Sequence, residues 1–227
     1  MAEFRESPRV SVNKLGEYLT ATPSRRKRII HDQKHPCDPQ YLRYPEAAQA
    51  ITEFLCQGLN GGVLRDYQER FFTTVPESDF EAQRLHLCSE ALDRFAALVP
   101  FLELEDTVLS AVGTEPPVLE VAGVTINVRP EVVLQGEDRH GQPTVGLLKL
   151  YFSKWHPLDE RSGQYIATLL QSFAEQHLNR LGPVDPRRIR VVDVFAGAVF
   201  NAPRSTFRRL QDVERACEEI GALWAVN

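Results

Sequence analysis

The chain has 227 residues, 43% of them apolar and 25% charged, a balance that excludes collagen-like, coiled-coil and wholly disordered chains and allows one large domain or a core with an extension. With 31 acidic against 26 basic residues the formal charge is −5, so no whole-protein attraction to nucleic acid operates and any basic surface must be local. Four scattered cysteines, Cys37, Cys56, Cys88 and Cys217, form no C-x-x-C pair, which excludes a zinc knuckle or a disulfide scaffold and fits a reducing cytoplasm.

The first residues carry charges and a proline where a secretory signal needs an apolar stretch, and no segment approaches the ~18 apolar residues of a membrane span. A soluble cytoplasmic protein with no membrane partner is expected. No repeat with a period of about 20 to 50 residues is visible, which argues against a solenoid or propeller.

Ser11 caps a short helix with Val12, Leu15 and Leu19 on one stripe, and Ser24 is read as the cap of a second helix that stops before Pro36. Tyr44-Pro45-Glu46 opens a third, with Ile51, Phe54 and Leu55 on its apolar side and Asn60-Gly61-Gly62 as its end. A further helix is predicted from about Phe80 to Val99, where Leu85, Cys88, Leu92, Phe95 and Val99 recur at spacings of three and four.

After Pro116-Pro117 the period becomes two. Val118 to Val121 and Val124 to Val128 flank Ala122-Gly123 as a hairpin, Val132-Val133-Leu134 continues it past Pro130, and a strand from about Thr144 to Phe152 follows a solvated turn. Three adjacent antiparallel strands are predicted. Helical spacing returns with Ile166, Leu169, Leu170, Phe173 and His177 and stops at Gly182-Pro183. Arg188 to Val199, an almost continuous apolar run with Ile189, Val191, Val192, Val194 and Phe195, suits a strand covered on both faces, and a final helix starts near Ser205. A helix between two strands is the crossover that parallel neighbours need. The fold class is therefore α/β (α+β), a mixed sheet of about four to five strands flanked by helices. Residues 1–117 form a mainly helical N-terminal extension packed on a core at 118–227.

The sharpest chemical constellation is Pro130-Glu131 in one strand and Leu147-Leu148-Lys149 in the next. Adjacent strands bring Glu131 and Lys149 together, and alternation puts Leu147 on the Lys149 side. Read without a catalytic role, the two form a cross-strand ion pair worth roughly 0.2 to 1 kcal/mol.

With its helix, meander, helix, strand order, a Pro-acid pair and a downstream lysine, the segment from about Val118 to Val199 resembles the restriction-endonuclease-like, or PD-(D/E)xK, superfamily. The resemblance implies a restriction-endonuclease-like core in which Glu131 replaces the first metal-binding acid and Lys149 is the lysine that steadies the attacking water or the phosphate. Leu147 stands where the second acid belongs, and leucine offers no ligand to Mg²⁺, which wants hard oxygen donors. Glu46 and Glu120 are the candidates for a relocated acid, and Gln164-Tyr165 lies where some branches place an accessory pair. What the resemblance implies is a nucleic-acid-associated protein with a catalytically degenerate core, acting in binding or assembly within a DNA- or RNA-processing or bacterial defence system. Two alternatives stay open: an active Mg²⁺-dependent nuclease with Glu131 as a metal ligand, and a protein-binding subunit with no nucleic-acid role.

Arg25, Arg26, Lys27 and Arg28, with Lys34, put five positive charges within ten residues. Arg187, Arg188, Arg190, Arg204, Arg208 and Arg209 form a second concentration. Both suit phosphate contact, with Arg204 and Arg208 the candidates in the second, and both equally suit solvated faces paired with acids such as Asp212 and Glu214. His31 and His35 have the i, i+4 spacing of a metal pair, but Asp32 stands where a zincin has glutamate and no third ligand has a fixed spacing, so they read as solvated histidines. Nucleotide-binding, dinucleotide-binding and serine-esterase signatures are absent, as is an EF-hand loop. Aromatic residues interleaved with basic ones are sparse, and Trp155, just beyond a strand end, reads as a lid on the core.

Overall fold

A computed structural model describes residues 4–36, 43–113 and 115–226. Cys37 lies outside them. The architecture is mixed α/β: a five-stranded sheet and a three-stranded sheet with seven α-helices among the described residues. In chain order the elements are β1 (Arg9–Ser11), α1 (Val12–Thr20), α2 (Pro23–Lys34), α3 (Pro45–Cys56), α4 (Gly61–Thr73), α5 (Asp79–Leu98), β2 (Val108–Ala111), β3 (Leu119–Val121), β4 (Val124–Asn127), β5 (Val132–Glu137), β6 (Pro143–Tyr151), α6 (Glu160–His177), β7 (Val184–Asp193), β8 (Ala198–Asn201) and α7 (Phe207–Val226). No helix among the described residues is long and apolar enough to cross a membrane.

Local chemistry sets most helix ends. Ser11 accepts from the Lys14 N–H at the start of α1, as expected. The α2 cap is Thr22 rather than Ser24, because Pro23 occupies the first helical turn, where its missing N–H costs nothing. Asn60 is a start and not a stop. Its side chain accepts from Gly62 N–H and opens α4, while α3 already ends at Cys56. Asp159 and Ser162 close a reciprocal capping box on α6.

The large sheet has the order β2-β5-β6-β7-β8. β2, β5 and β6 form an antiparallel meander, α6 carries the chain across, and β7 returns parallel to β6. The predicted meander is therefore corrected in its membership. The Ala122-Gly123 hairpin joins β3 to β4, but that pair belongs to the small sheet β1-β4-β3, in which β1 runs parallel to β4. Ala122 (φ 46°) and Gly123 (φ 76°) are both left-handed, the pairing that a two-residue turn needs to follow strand twist. The third member of the meander is β2, which comes from the stretch expected to be a helical extension.

Alternation divides the large sheet between two cores. Val133, Val145, Leu147, Ile189 and Val191 face α1, α6, α7 and the small sheet. Val132, Leu134, Leu148, Leu150, Val192 and Val194 face α3, α4 and α5. β6 and β7 are buried on both sides, as a parallel pair between helical layers must be. Between Val145 and Leu147 the β6–β7 register jumps, and a Cβ on Gly146 would sit 2.3 Å from the Arg188 carbonyl oxygen. Only glycine permits that approach. Gly146→Ala is expected to destabilise the protein by about 1–3 kcal/mol or more, since backbone would have to move. Ala122→Gly, relieving a left-handed alanine, should stabilise it by about 1 kcal/mol. Urea unfolding of both variants measures the two effects, and a neutral Gly146→Ala would refute the close packing.

A basic groove around Lys149

Glu131 lies just before β5, where the chain has come from the small sheet to the large one. Its backbone N–H donates to Leu148 O (3.0 Å), which fixes it against β6. The Lys149 amine then donates to Glu131 Oε1 (2.6 Å), and the Leu150 N–H donates to Glu131 Oε2 (2.6 Å). The side chains of Lys149 and Glu131 are only 10% and 17% exposed. Leu147, two residues earlier on the same strand face, is wholly buried among apolar side chains.

This arrangement does not fit the Mg²⁺ that the sequence resemblance implies. Both carboxylate oxygens of Glu131 already accept short hydrogen bonds, and a cation bound there would lie beside the Lys149 ammonium, which repels it. Among the described residues no group of three or more Asp, Glu, His or Cys side chains gathers to hold a metal. Glu46 pairs with Arg84 (2.6 Å) and receives the Cys88 thiol, within the α3–α5 layer. Glu120 is exposed on β3 and accepts from Thr125 Oγ1 (2.7 Å), on the outer strand of the small sheet. Gln164 is held by Glu160 and Arg209, and the Tyr165 hydroxyl donates to Asp212 (2.7 Å), so this pair ties α6 to α7.

What Lys149 does face is an open groove of about 1050 Å³ between the α1–α2 segment and the β4–β5 connection. Arg5, Arg9, Lys14, Arg28, Arg129 and Lys149 line it, and Asp32 is the single acid among its lining residues. The N-terminal turn of α1, Val12 to Lys14, also faces the groove and adds the positive end of a helix dipole. Asn13 donates to Leu150 O (3.4 Å), leaving its own Oδ1 buried without a hydrogen-bond partner among the described residues.

The cations differ in how far they are committed. Arg28 pairs with Asp32 (2.9 Å) and Lys14 with Glu17 (2.7 Å). Arg9 donates to the neutral Asn127 Oδ1 (2.9 and 3.2 Å), so its charge is not cancelled. Arg129 is exposed, with no hydrogen bond or ion pair among the described residues, and its backbone is left-handed (φ 44°). That conformation is unfavourable for a non-glycine residue. It occurs where the chain leaves β4 and must enter the other sheet within a few residues.

Of the basic run on α2, only Arg28 reaches the groove. Arg25 is held by Glu17 (2.6 Å), and Arg26 by Glu219 (3.2 Å), Tyr18 O and the Tyr18 ring, while Lys27 is exposed. In the second run, Arg187 pairs with Asp185, Arg188 donates to Thr107 and Glu137 O, and Arg190 is buried against Leu102 O and Glu103, with burial lowering its basicity. Arg204 and Arg208 stay exposed near the start of α7. The His31 and His35 rings lie side by side, tilted by 37° with centroids 4.9 Å apart, at the groove rim.

The groove's other cations escaped sequence reading. Arg5, Arg9 and Lys14 lie more than a hundred residues from Arg129 and Lys149, and β1 joins β4 by a parallel pairing that has no local signature. Arg129 alone had a usable signal, its place beside Pro130-Glu131.

The strength of the central pair is directly measurable. Lys149→Ala should cost about 1.5–3 kcal/mol, because it leaves a half-buried carboxylate without its charged partner. Adding Glu131→Ala should recover part of that loss, and a double-mutant cycle by chemical denaturation should return a coupling of at least about 0.5 kcal/mol. Strict additivity would mean the two side chains do not meet. No protein-family model matches the chain, and a search of curated proteins finds no match to it.

Proposed function

We propose that the protein binds nucleic acid in the basic groove, with Lys149 on its floor as a phosphate contact, and that its nuclease-like core does not cleave. The observation that carries this reading is a groove lined by six cations and one acid, in which Arg9 and Arg129 have no acidic partner among the described residues, in a protein whose net charge is −5. Such a local field attracts a polyanion while the rest of the surface repels it. The sequence of α5, the β2-β5-β6 meander, α6 and parallel β7 supports a restriction-endonuclease-like descent. The engaged Glu131 and the apolar Leu147 support loss of metal-dependent catalysis within it. The protein then acts as a binding or assembly component of a nucleic-acid-processing or defence system.

Fluorescence anisotropy with labelled single-stranded DNA, duplex DNA and RNA tests this. Affinity is expected to fall steeply between about 50 and 200 mM salt. Arg9→Glu with Arg129→Glu, two exposed positions without acidic partners among the described residues, should weaken binding at least about tenfold and flatten the salt slope by about one unit for each phosphate interaction removed. Cleavage in Mg²⁺ or Mn²⁺ that disappears in Lys149→Ala would overturn the non-catalytic part. No binding to any of the three would overturn the whole and shift weight to a protein partner, for which the exposed Phe72 and Val75 are available apolar surface.

A further inference from the structure

Beside the groove lies a second hollow of about 300 Å³, lined by Glu17, Arg25, Tyr151, Trp155, His156 and Asp159 among others. The two share a wall. Lys14, which lines the groove, is ion-paired to Glu17 (2.7 Å), and Glu17 is paired on its far side to Arg25 (2.6 Å), which lines the hollow. Burial alone would push the Glu17 carboxyl up, but the hydrogen bonds and charges of Arg25 and Lys14 outweigh it and hold it below its ordinary value. The wall is thus a fixed, charged ridge.

At the rim of the hollow stands Trp155, whose residue surface is 88% exposed. It does not lid the core, contrary to the sequence expectation. No ring contact, hydrogen bond or cation involves its side chain among the described residues. The turn that carries it is nevertheless anchored: the Tyr151 hydroxyl donates to His156 O (2.6 Å), and the His156 N–H donates to Ser153 Oγ (3.1 Å). The Lys154 amine is tied to Glu90, and the Leu158 N–H donates to Asp193 (2.9 Å). An indole is large and apolar, and folded proteins ordinarily bury such rings. Here the neighbouring bonds hold it in water. Trp155 is also six residues beyond Lys149 on the same strand and turn, so at most about 20 Å of chain separates the groove floor from the ring.

We infer that Trp155 is a stacking platform for one base of a single-stranded nucleic acid whose backbone lies in the Lys149 groove. The inference rests on the nucleic-acid reading above and adds to it a preference for unpaired strands. The shared chemistry is a phosphate track adjoining an open aromatic face, the combination by which proteins hold single strands without reading sequence. Paired bases within a duplex offer no free face to the indole, so duplex binding draws on the groove alone.

The protein has two tryptophans, and Trp224 is only 3% exposed, so emission from Trp155 can be isolated by difference with Trp155→Phe. The full chain is titrated with unlabelled oligo(dT) and with a mixed-sequence duplex, reading tryptophan emission and, in parallel, anisotropy of labelled versions. Oligo(dT) should quench wild-type emission, and the quench should vanish in Trp155→Phe. Trp155→Ala should weaken oligo(dT) binding by about tenfold while leaving duplex affinity unchanged, and Trp155→Phe should retain most of the wild-type affinity. Thermal unfolding of the variants, matching wild type, separates the removal of a stacking surface from damage to the turn. Oligo(dT) binding with no quench and no weakening in Trp155→Ala, or an equal weakening for duplex, would overturn the stacking role while the groove reading stands. Absence of wild-type binding to either probe would overturn both.

Discussion

The contact between Glu131 and Lys149 organises the centre of this protein. A carboxylate and an amine are taken largely out of water where β5 begins beside β6, and such a transfer is tolerable only if each group finds partners that replace its hydration. The lysine supplies one partner and the Leu150 N–H the other, so each carboxylate oxygen is engaged by the fold itself. Because the Glu131 backbone also donates to Leu148 O, side chain and main chain together pin the β5–β6 register where β5 begins. A cation at this carboxylate would lie beside the Lys149 ammonium, which repels it. Leu147, packed among apolar neighbours on the same face, offers no oxygen ligand beside the pair.

The second consequence is electrostatic. The chain carries more acids than bases, yet around Lys149 cations outnumber acids, even with Lys149, Lys14 and Arg28 paired to Glu131, Glu17 and Asp32. Arg25 and Arg26 are absorbed by Glu17 and Glu219, Arg84 by Glu46, and Arg187 by Asp185. Arg9 and Arg129, which have no acidic partner among the described residues, stand where the N-terminal segment crosses the β4–β5 connection. Arg129 illustrates the construction: a left-handed residue is accepted there because the chain must pass from one sheet to another, and its side chain is left in the open groove. Field strength in such a cleft depends on local sums rather than on net charge.

Much of the architecture is legible in the sequence because it is written locally. The alternation of Val124, Ile126 and Val128, the helical stripe of α6, and the doubly apolar β7 follow from periodicities that neighbouring residues carry. The crossover from β6 through α6 to a parallel β7 follows from segment order. Three features are not legible, for physical reasons. Asn60-Gly61-Gly62 can end one helix or cap the next, and only tertiary packing of Val63, Leu64, Tyr67 and Phe71 decides for α4. β1 and β2 are three and four residues long, too short to show a period, and exist because partner strands hold them. Strand patterning places the β3–β4 hairpin in the wrong sheet, since it states which residues alternate but not which strand lies alongside. At the site, the Glu131–Lys149 contact can be read from adjacent strands, whereas the groove needs the fold: its cations come from distant parts of the sequence, and most of the conspicuous α2 cluster is consumed by neighbouring acids.

The functional reading turns on Glu131 being committed to Lys149 and the Leu150 amide rather than to a cation. Mn²⁺ titration followed by electron paramagnetic resonance, comparing wild type with Glu131→Gln, addresses this without reference to any substrate. The two proteins are expected to bind Mn²⁺ equally weakly, with no site that depends on Glu131. A stoichiometric Mn²⁺ site in the wild type that disappears in Glu131→Gln would contradict that commitment and restore a metal-dependent centre at this position.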